Sequence, residues 1–204
     1  MAKLLLVRHG RTEYNHAQKF MGHTDVDMSR EGYRQIEKLR DRLAGVKIDA
    51  VCSSNLMRAR VSAEIITAGR NLEISACPEL REINYGDAEG LTFDEISRRY
   101  PEVGKAMIDR SCLISFPGGE CFNDLEIRIR KFIKDLERYA PEQTVLIIGH
   151  SGPLTLLVCF LMDASRETWW HLHMDNASLS IIDTYKEGAI LSLFNDVSHL
   201  GKRI

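Results

Sequence analysis

The sequence lacks the features that mark nucleic-acid-binding and membrane proteins. Its formal net charge is −2 over 204 residues, so it has none of the basic excess that nucleic acids or anionic membranes attract. The longest apolar run, residues 154–162, is too short to cross a bilayer. Only four apolar residues stand between Lys3 and Arg8, which are too few for a signal peptide. We therefore predict a cytoplasmic protein that binds neither nucleic acid nor membranes.

The cysteines form no recognisable framework. They are odd in number, lie far apart and include no C-x-x-C pair; they are Cys52, Cys77, Cys112, Cys121 and Cys159. We interpret them as reduced, mostly buried thiols. The chain has no G-x-x-x-x-G-K-[ST] motif, which argues against an NTPase, and no G-x-S-x-G elbow around Ser151, so serine hydrolase chemistry has little support.

Three short apolar runs are present instead, at residues 3–7, 48–52 and 144–148. Runs of this kind are typical of buried parallel strands, and a helical pattern follows each one. The predicted helices span residues 29–43, 54–69 and 152–162. This alternation predicts an α/β fold with three layers, in which a mostly parallel central sheet is flanked by helices.

The middle and the end of the chain have other patterns. Residues 91–139 are mainly helical, with a long amphipathic helix expected over 121–139, and we predict that this helical excursion covers the functional site. Residues 177–196 alternate between apolar and polar and turn at Lys186-Glu187-Gly188, which predicts a hairpin. We expect a single domain over residues 1–204.

Each predicted strand ends on chemically useful residues. The three groups are Arg8, His9, Gly10 and Asn15; Ser53, Ser54 and Arg58; and Gly149, His150, Ser151 and Gly152. Because ligands of open α/β sheets bind at the carboxyl ends of the strands, two histidines and two arginines should converge on one crevice.

Such a crevice suits phosphoryl transfer. A guanidinium matches the geometry of phosphate oxygens, and a helix N-terminus adds backbone N–H groups. Neighbouring cations keep an imidazole neutral and nucleophilic, so that it can accept a phosphoryl group. We expect neither metal nor cofactor to be needed. A general acid for the leaving group must come from Glu79, Glu82, Asp87 or Glu89, and spacing alone does not choose among them.

Five motifs in order, "LLLVRHGRTEYN", "SSNLMRA", "LREINYGDAEG", "PGGE" and "IIGHSG", resemble those of the histidine phosphatase superfamily, the phosphoglycerate-mutase-like group. The resemblance implies that His9 becomes a phosphohistidine and that Glu82 is the acid. The residues that it assigns to holding the phosphoryl group are Arg8, Arg58, His150 and, through a further hydrogen bond, Asn15. Two departures stand out: Arg11 follows the RHG triplet, where an acidic or amide residue is frequent, and Ser151 replaces a frequent glycine.

The resemblance favours the small phosphatases of the group, because the extra segment of the longer mutases is not found. It implies a small phosphorylated metabolite as substrate, with α-ribazole 5′-phosphate first, and phosphoserine or sugar phosphates as alternatives. His199 resembles a substrate-side histidine of the phosphoserine type, and Glu120 is a second candidate near the leaving group. A mutase, and a binding module that has lost the chemistry, are the other hypotheses.

Several other residues have simpler explanations. His171 and His173, with Asp175, have the spacing of metal ligands, but surface histidines beside two tryptophans are the better interpretation. His16 and His23 lie in a loop that follows the first strand. The Trp169-Trp170 pair and the final strands are candidates for a homodimer interface.

Overall fold

The structure is a computed structural model, which describes residues 2–201. A six-stranded sheet lies at its centre. The strands are β1 (Lys3–Arg8), β2 (Ala50–Ser53), β3 (Ile74–Ala76), β4 (Thr144–Gly149), β5 (Leu179–Tyr185) and β6 (Gly188–Asp196). Their order across the sheet is β3-β2-β4-β1-β5-β6. The first four of these are mutually parallel, whereas β5 runs antiparallel to β1 and pairs with β6 as a hairpin. The expected mostly parallel sheet is therefore confirmed.

Helices cover both faces of this sheet. They are α1 (Glu13–His16), α2 (Arg30–Arg42), α3 (Met57–Thr67), α4 (Phe93–Arg99), α5 (Pro101–Ile108), α6 (Phe122–Leu136) and α7 (Ser151–Leu161), with 3₁₀ turns at Pro78–Leu80, Gly86–Ala88, Arg166–His171 and Ser198–Leu200. The apolar faces of α2 and α3 pack on one side of the sheet, and those of α6 and α7 on the other. This is the predicted three-layer arrangement.

The alternation of side chains along β1 explains the two cores. Leu4 and Leu6 belong to the core that includes α6 and α7, whereas Leu5 and Val7 belong to the core under α2 and α3. Because successive side chains of a strand point to opposite faces, a strand buried on both sides must be apolar at every position. The continuous "LLLV" run is the consequence.

The predicted elements agree with the observed ones to within a few residues, with three omissions. The four-residue helix α1, which contains His16, lies in a segment that was predicted to be a loop. The short edge strand β3 has only three residues, too few for a detectable pattern. The helical excursion contains α4 and α5 as separate helices, since Pro101 starts α5 directly after the end of α4. Pro lacks the N–H that a continuing helix would need and fits the first helical turn.

Leu146→Ala in β4 should lower the free energy of unfolding by about 2–5 kcal/mol, because it leaves a cavity at the centre of the sheet. Leu146 is fully buried, whereas Leu113 is 85% exposed and provides the matched control. Leu113→Ala should change the free energy of unfolding by no more than about 0.5 kcal/mol. Urea denaturation followed by circular dichroism measures both values. Equal losses for the two variants would contradict this account of the core.

Candidate active site

The register of the parallel strands brings the two histidines together. Arg8 at the end of β1 pairs with Gly149 at the end of β4, so the next residue on each strand is a histidine at the same level. The backbone N–H of His9 continues the ladder by donating to the Gly149 carbonyl at 3.1 Å. The two imidazole ring centres, of His9 and His150, are 4.9 Å apart. The expected convergence at the carboxyl edge of the sheet is therefore present.

A cavity of about 250 Å³ opens at this edge of the sheet. Its lining residues are Arg8, His9, Asn15, Gln18, Lys19, Phe20, Met21, Glu82, Tyr85 and Ser151. A larger cavity of about 400 Å³ lies near the start of β1, between α6, α7 and the hairpin turn, but its lining contains none of the strand-end residues. We therefore place the candidate active site in the smaller cavity, where the charged and nucleophilic groups meet.

His9 is held in the tautomer that a nucleophile requires. Its Nδ1 lies 2.8 Å from the carbonyl oxygen of Gly10, and because a carbonyl only accepts, Nδ1 must carry the proton. Nε2 is then unprotonated and has a free electron pair. Burial, and then the charges of Arg58 and Arg8, lower the pKa of His9 well below its usual 6.5, so the ring is neutral at physiological pH.

Arg8 supplies positive charge next to that nucleophile. One guanidinium nitrogen, Nη1, donates to the Met174 carbonyl at 2.5 Å and fixes the side chain. Its Nε is buried and has no hydrogen-bond partner among residues 2–201. A buried N–H group without a partner costs free energy, and a phosphoryl oxygen in the cavity would satisfy it.

Arg58 and His150, which the resemblance assigned to holding the phosphoryl group, are not among the residues that line the cavity; both are fully buried, and the ring of His150 packs against that of His9. Arg58 donates through Nη2 to Gly22 O at 2.7 Å, through Nη1 to Thr24 O at 2.9 Å and through Nε to His150 Nδ1 at 3.3 Å. Since His150 Nδ1 accepts this bond, its Nε2 carries the proton and donates to Ser54 Oγ at 2.9 Å. Three of the five Arg58 donors are engaged in this way, and two N–H groups remain.

Asn15 and Ser151 complete the polar lining of the cavity. The Oδ1 atom of Asn15 accepts hydrogen bonds from Thr12 and from Nδ2 of Asn176, so its own amide group is left to donate. Ser151 is the first residue of α7, whose N-terminus adds the positive end of a helix dipole. Both predicted residues line the cavity.

Glu82 is the buried carboxyl of the four acidic candidates. Its Oε1 accepts from the backbone N–H of Ile83 at 3.0 Å, and its Oε2 from that of Gly152 at 3.3 Å. Burial raises the pKa of Glu82 above its usual 4.5, against the opposing effect of these hydrogen bonds and of Arg8. A carboxyl with a raised pKa keeps its proton longer as the pH rises, as a general acid requires.

The other three acidic candidates lie outside the cavity lining. Glu79 forms an ion pair with Lys131 on α6 at 2.6 Å. Asp87 is exposed. Glu89 accepts hydrogen bonds from the backbone N–H groups of His23 and Thr24, and thereby fixes the loop that surrounds Arg58.

The sequence suggested that Glu120 lies near the leaving group. In the structure, Glu120 is not among the residues that line the cavity. Its carboxylate pairs with Arg128 of α6 at 3.0 Å and accepts from the backbone N–H of Asn84 at 2.8 Å. Arg128 was not predicted, yet it donates to three carbonyls of the segment that carries Glu82, those of Glu79, Arg81 and Glu82, at 2.6, 2.5 and 3.0 Å. No local pattern marks an arginine on an amphipathic helix for this role, because its acceptors are some 45 residues away.

His199 also lies outside the cavity lining, where its Nδ1 is 3.3 Å from a guanidinium nitrogen of Arg42 on α2. His171 contacts Arg110, and His173 contacts the exposed Asp175. His16 and His23 do not line the cavity either.

Within residues 2–201, no group of three or more His, Cys, Asp or Glu side chains is arranged to hold a metal ion. The same residues include no helix that is long and apolar enough to cross a membrane.

The helical excursion supports the site rather than covering it. None of residues 91–139 lines the cavity; Gln18 to Met21 and Tyr85 form its rim. The excursion contacts this rim from behind, where the ring of Phe116 packs edge-on against Tyr85 at 4.9 Å. Gly86 is required at this contact, since it has a φ of +51° and a Cβ atom there would lie 2.2 Å from the Pro117 carbonyl.

Comparison with known proteins agrees with this geometry. A family model, "Histidine phosphatase superfamily (branch 1)", matches residues 4–197. The chain belongs to the histidine phosphatase superfamily. The prediction of a phosphatase is confirmed at this level.

Named relatives cover nearly the whole chain. Phosphoserine phosphatase 1 of Hydrogenobacter thermophilus is 29% identical over 202 residues, 99% of this chain and 96% of that protein. Adenosylcobalamin/alpha-ribazole phosphatase of Escherichia coli K12 is 30% identical over 193 residues, 95% of each protein. The crystal structure of the alpha-ribazole phosphatase from Shigella flexneri superposes with a TM-score of 0.88 at 31% identity and covers 96% of both chains.

Arg128→Gln should reduce turnover selectively for substrates whose leaving group needs a proton. The change removes the donors that hold the Glu82 segment, and general acid catalysis contributes about 10²–10⁴-fold. We expect kcat for an alkyl phosphate to fall roughly tenfold or more. The kcat for p-nitrophenyl phosphate, whose leaving group departs without a proton, should change much less.

Arg130→Gln, on the exposed side of the same helix, is the matched control and should leave both values near those of the wild type. Steady-state kinetics with both esters measures the effect. An equal fall for both esters in Arg128→Gln would mean that Arg128 maintains the fold and not the position of the acid.

Proposed function

We propose that the protein hydrolyses phosphate monoesters of small metabolites through a phosphohistidine at His9, without a metal or cofactor. The observation that carries the proposal is the 2.8 Å contact of His9 Nδ1 with the Gly10 carbonyl, which leaves Nε2 free in a cavity that also contains Arg8 and Glu82. The positive charge that stabilises the transferring phosphoryl group comes from Arg8, from the remaining donors of Arg58 and from the N-terminus of α7.

In the first step the electron pair of His9 Nε2 attacks phosphorus, and the bond between phosphorus and the ester oxygen breaks. Glu82 gives its proton to that oxygen, so that a neutral alcohol leaves and Glu82 becomes a carboxylate. His150 donates no proton in this step; its imidazole stays neutral and orients Arg58, while burial and the charge of Arg58 lower its pKa well below 6.5.

In the second step a water molecule attacks the phosphorus of the phosphohistidine. The Glu82 carboxylate removes a proton from the water, the P–N bond breaks, and its electron pair returns to Nε2 of His9. Inorganic phosphate leaves, and the enzyme recovers a neutral His9 and a protonated Glu82. The same carboxyl therefore acts as acid and then as base.

The substrate that we propose first is α-ribazole 5′-phosphate. Phosphoserine and sugar phosphates are the alternatives, and the relatives named for α-ribazole and for phosphoserine are almost equally similar to this chain. A mutase would transfer the phosphoryl group to a second acceptor faster than to water. A binding module without catalysis would bind these esters and release no phosphate.

We further propose that the protein acts in the cytoplasm, where its five cysteines, all free in the structure, would stay reduced. The homodimer remains a prediction. The Trp169 and Trp170 rings pack against each other and are half-buried, whereas Tyr185 and Ile190 on the hairpin are more than half exposed. Any interface is therefore better placed on the hairpin than on the tryptophan pair.

His9→Ala should abolish phosphate release from α-ribazole 5′-phosphate, L-phosphoserine, 3-phosphoglycerate and p-nitrophenyl phosphate, with a loss of roughly 10³-fold or more, because the nucleophile is gone. EDTA should leave the wild-type rates unchanged. His173→Ala, which changes an exposed histidine, is the control and should retain activity. Trapping with ³²P-labelled substrate should give an acid-labile phosphoprotein in the wild type only. Turnover by His9→Ala would refute the mechanism.

The pH profile of kcat/KM should be bell-shaped. Activity should persist well below pH 6.5, because the lowered pKa of His9 delays its protonation as the pH falls. It should decline at higher pH, once the pH exceeds the raised pKa of Glu82 and the acid loses its proton. Glu82→Gln, which cannot titrate, should remove the alkaline decline at a reduced rate. The profile needs correction for the second ionisation of the substrate, near pH 6. An acidic limb at pH 6.5 or above would contradict the assignment to His9.

A further inference from the structure

A second cavity adjoins the active site and is not used by the mechanism above. Its volume is about 160 Å³, and we call it the aromatic groove; its lining residues are Tyr85, Ser151, Gly152, Thr155, Trp169, Trp170 and Leu172. Tyr85 and Ser151 also line the cavity that contains His9, so the two spaces share a wall.

The general acid lies at the boundary between the two cavities. A Cβ atom on Gly152 would be 2.3 Å from Oε1 of Glu82 and 3.7 Å from Cζ2 of Trp169. The carboxyl and the indole ring are thus neighbours, separated only by a residue without a side chain. In the proposed mechanism the leaving oxygen lies beside Glu82, because it receives the proton of that carboxyl. The rest of the leaving alcohol is then next to the groove.

The wall of the groove is rigid. Trp169 donates through Nε1 to the Gly152 carbonyl at 2.8 Å, and its ring packs edge-on against Phe122 and Trp170, at 5.1 and 4.6 Å between ring centres. A preformed surface binds a ring at a smaller entropic cost than one that must first be ordered.

The composition and the volume of the groove indicate which chemical groups it can bind. Of the residues that the structure describes, no charged side chain lines it, and three of its side chains are aromatic. An apolar cavity of about 150 Å³ is large enough to bind benzene. The groove therefore suits one aromatic ring and offers no charged partner to a carboxylate or ammonium group. The charged alternative, Lys19, is exposed and lies on the rim of the other cavity, together with Gln18.

We propose that the aromatic groove binds a ring carried by the leaving alcohol, so that the preferred substrates are phosphate monoesters of alcohols with an aromatic ring. This rests on the proposed function, because the position of the leaving group follows from the role of Glu82. Trp170 is then a specificity residue: it lines the groove and does not line the cavity that contains His9.

The test compares kcat/KM for 2-phenylethyl phosphate, ethyl phosphate and L-phosphoserine. The first two esters have alcohols of similar acidity and differ mainly in the ring. The proteins are the wild type, Trp170→Ala, Trp170→Phe and Lys19→Ala, with Tyr185→Ala as the control for loss of an exposed aromatic side chain far from the site.

The wild type should prefer the phenylethyl ester to the ethyl ester by about tenfold or more, as expected for an apolar group in a hydrophobic pocket. Trp170→Ala should remove most of this preference by lowering kcat/KM for the phenylethyl ester, and Trp170→Phe should restore it. Circular dichroism of each variant shows that it is folded, and Tyr185→Ala should keep the wild-type preference.

Equal kcat/KM values for 2-phenylethyl phosphate and ethyl phosphate in the wild type would refute the proposed role of the groove. They would not contradict the proposed phosphatase activity. A preference for L-phosphoserine that Lys19→Ala removes and Trp170→Ala does not would also refute the role of the groove, since the leaving group would then bind at the charged rim. Failure of the wild type to release phosphate from any ester, including p-nitrophenyl phosphate, would refute the proposed function itself.

Discussion

The buried charge of Arg58 is the constraint on which the site depends. A guanidinium without solvent contact is costly unless hydrogen bonds replace its lost hydration, because the desolvation penalty of an unpaired ion is several kcal/mol. Burial lowers the pKa of Arg58 to about 10, which still leaves it charged at physiological pH. Its three acceptors fix the loop at Gly22 and Thr24 and the ring of His150. One buried cation thus holds both the loop at residues 22–24 and the imidazole of His150 in place.

Burial, and then the same charge, shift the pKa values of the neighbouring groups. His9 and His150 lose proton affinity through burial and through Arg58, and each is then a neutral imidazole in a defined tautomer. Both bind protons more readily when unfolded, so their contribution to stability decreases as the pH falls below about 6.5. Glu82 shifts in the opposite direction because desolvation outweighs the nearby cations. Its contribution decreases as the pH rises from about 4.5 towards the raised pKa.

The support of Glu82 illustrates how distant parts of the chain contribute to one carboxyl. Arg128 holds the backbone of its segment, and Gly152 on α7 donates to its side chain. A Cβ atom on Gly152 would occupy the space of the carboxyl itself. The helical excursion, α7 and the loop after β3 therefore meet at this carboxyl, and its position depends on contacts from all three.

The sequence alone predicted the strands and the main helices, because apolar runs and helical periodicity are local patterns. It also predicted which polar side chains lie at the strand ends, because parallel strands end at a common edge of the sheet. His9, Arg8, Arg58 and His150 were identifiable for that reason. Long-range contacts were not accessible in this way. The choice of Glu82 among the four acidic candidates needed the family resemblance. The burial of Glu82, the hydrogen bonds from Arg128 to its segment and the groove beside Trp169 all depend on which surfaces of the fold pack together. Glu120 and His199 carried the right chemistry, but an ion pair with Arg128 holds Glu120, and a hydrogen bond with Arg42 holds His199, outside the cavity lining.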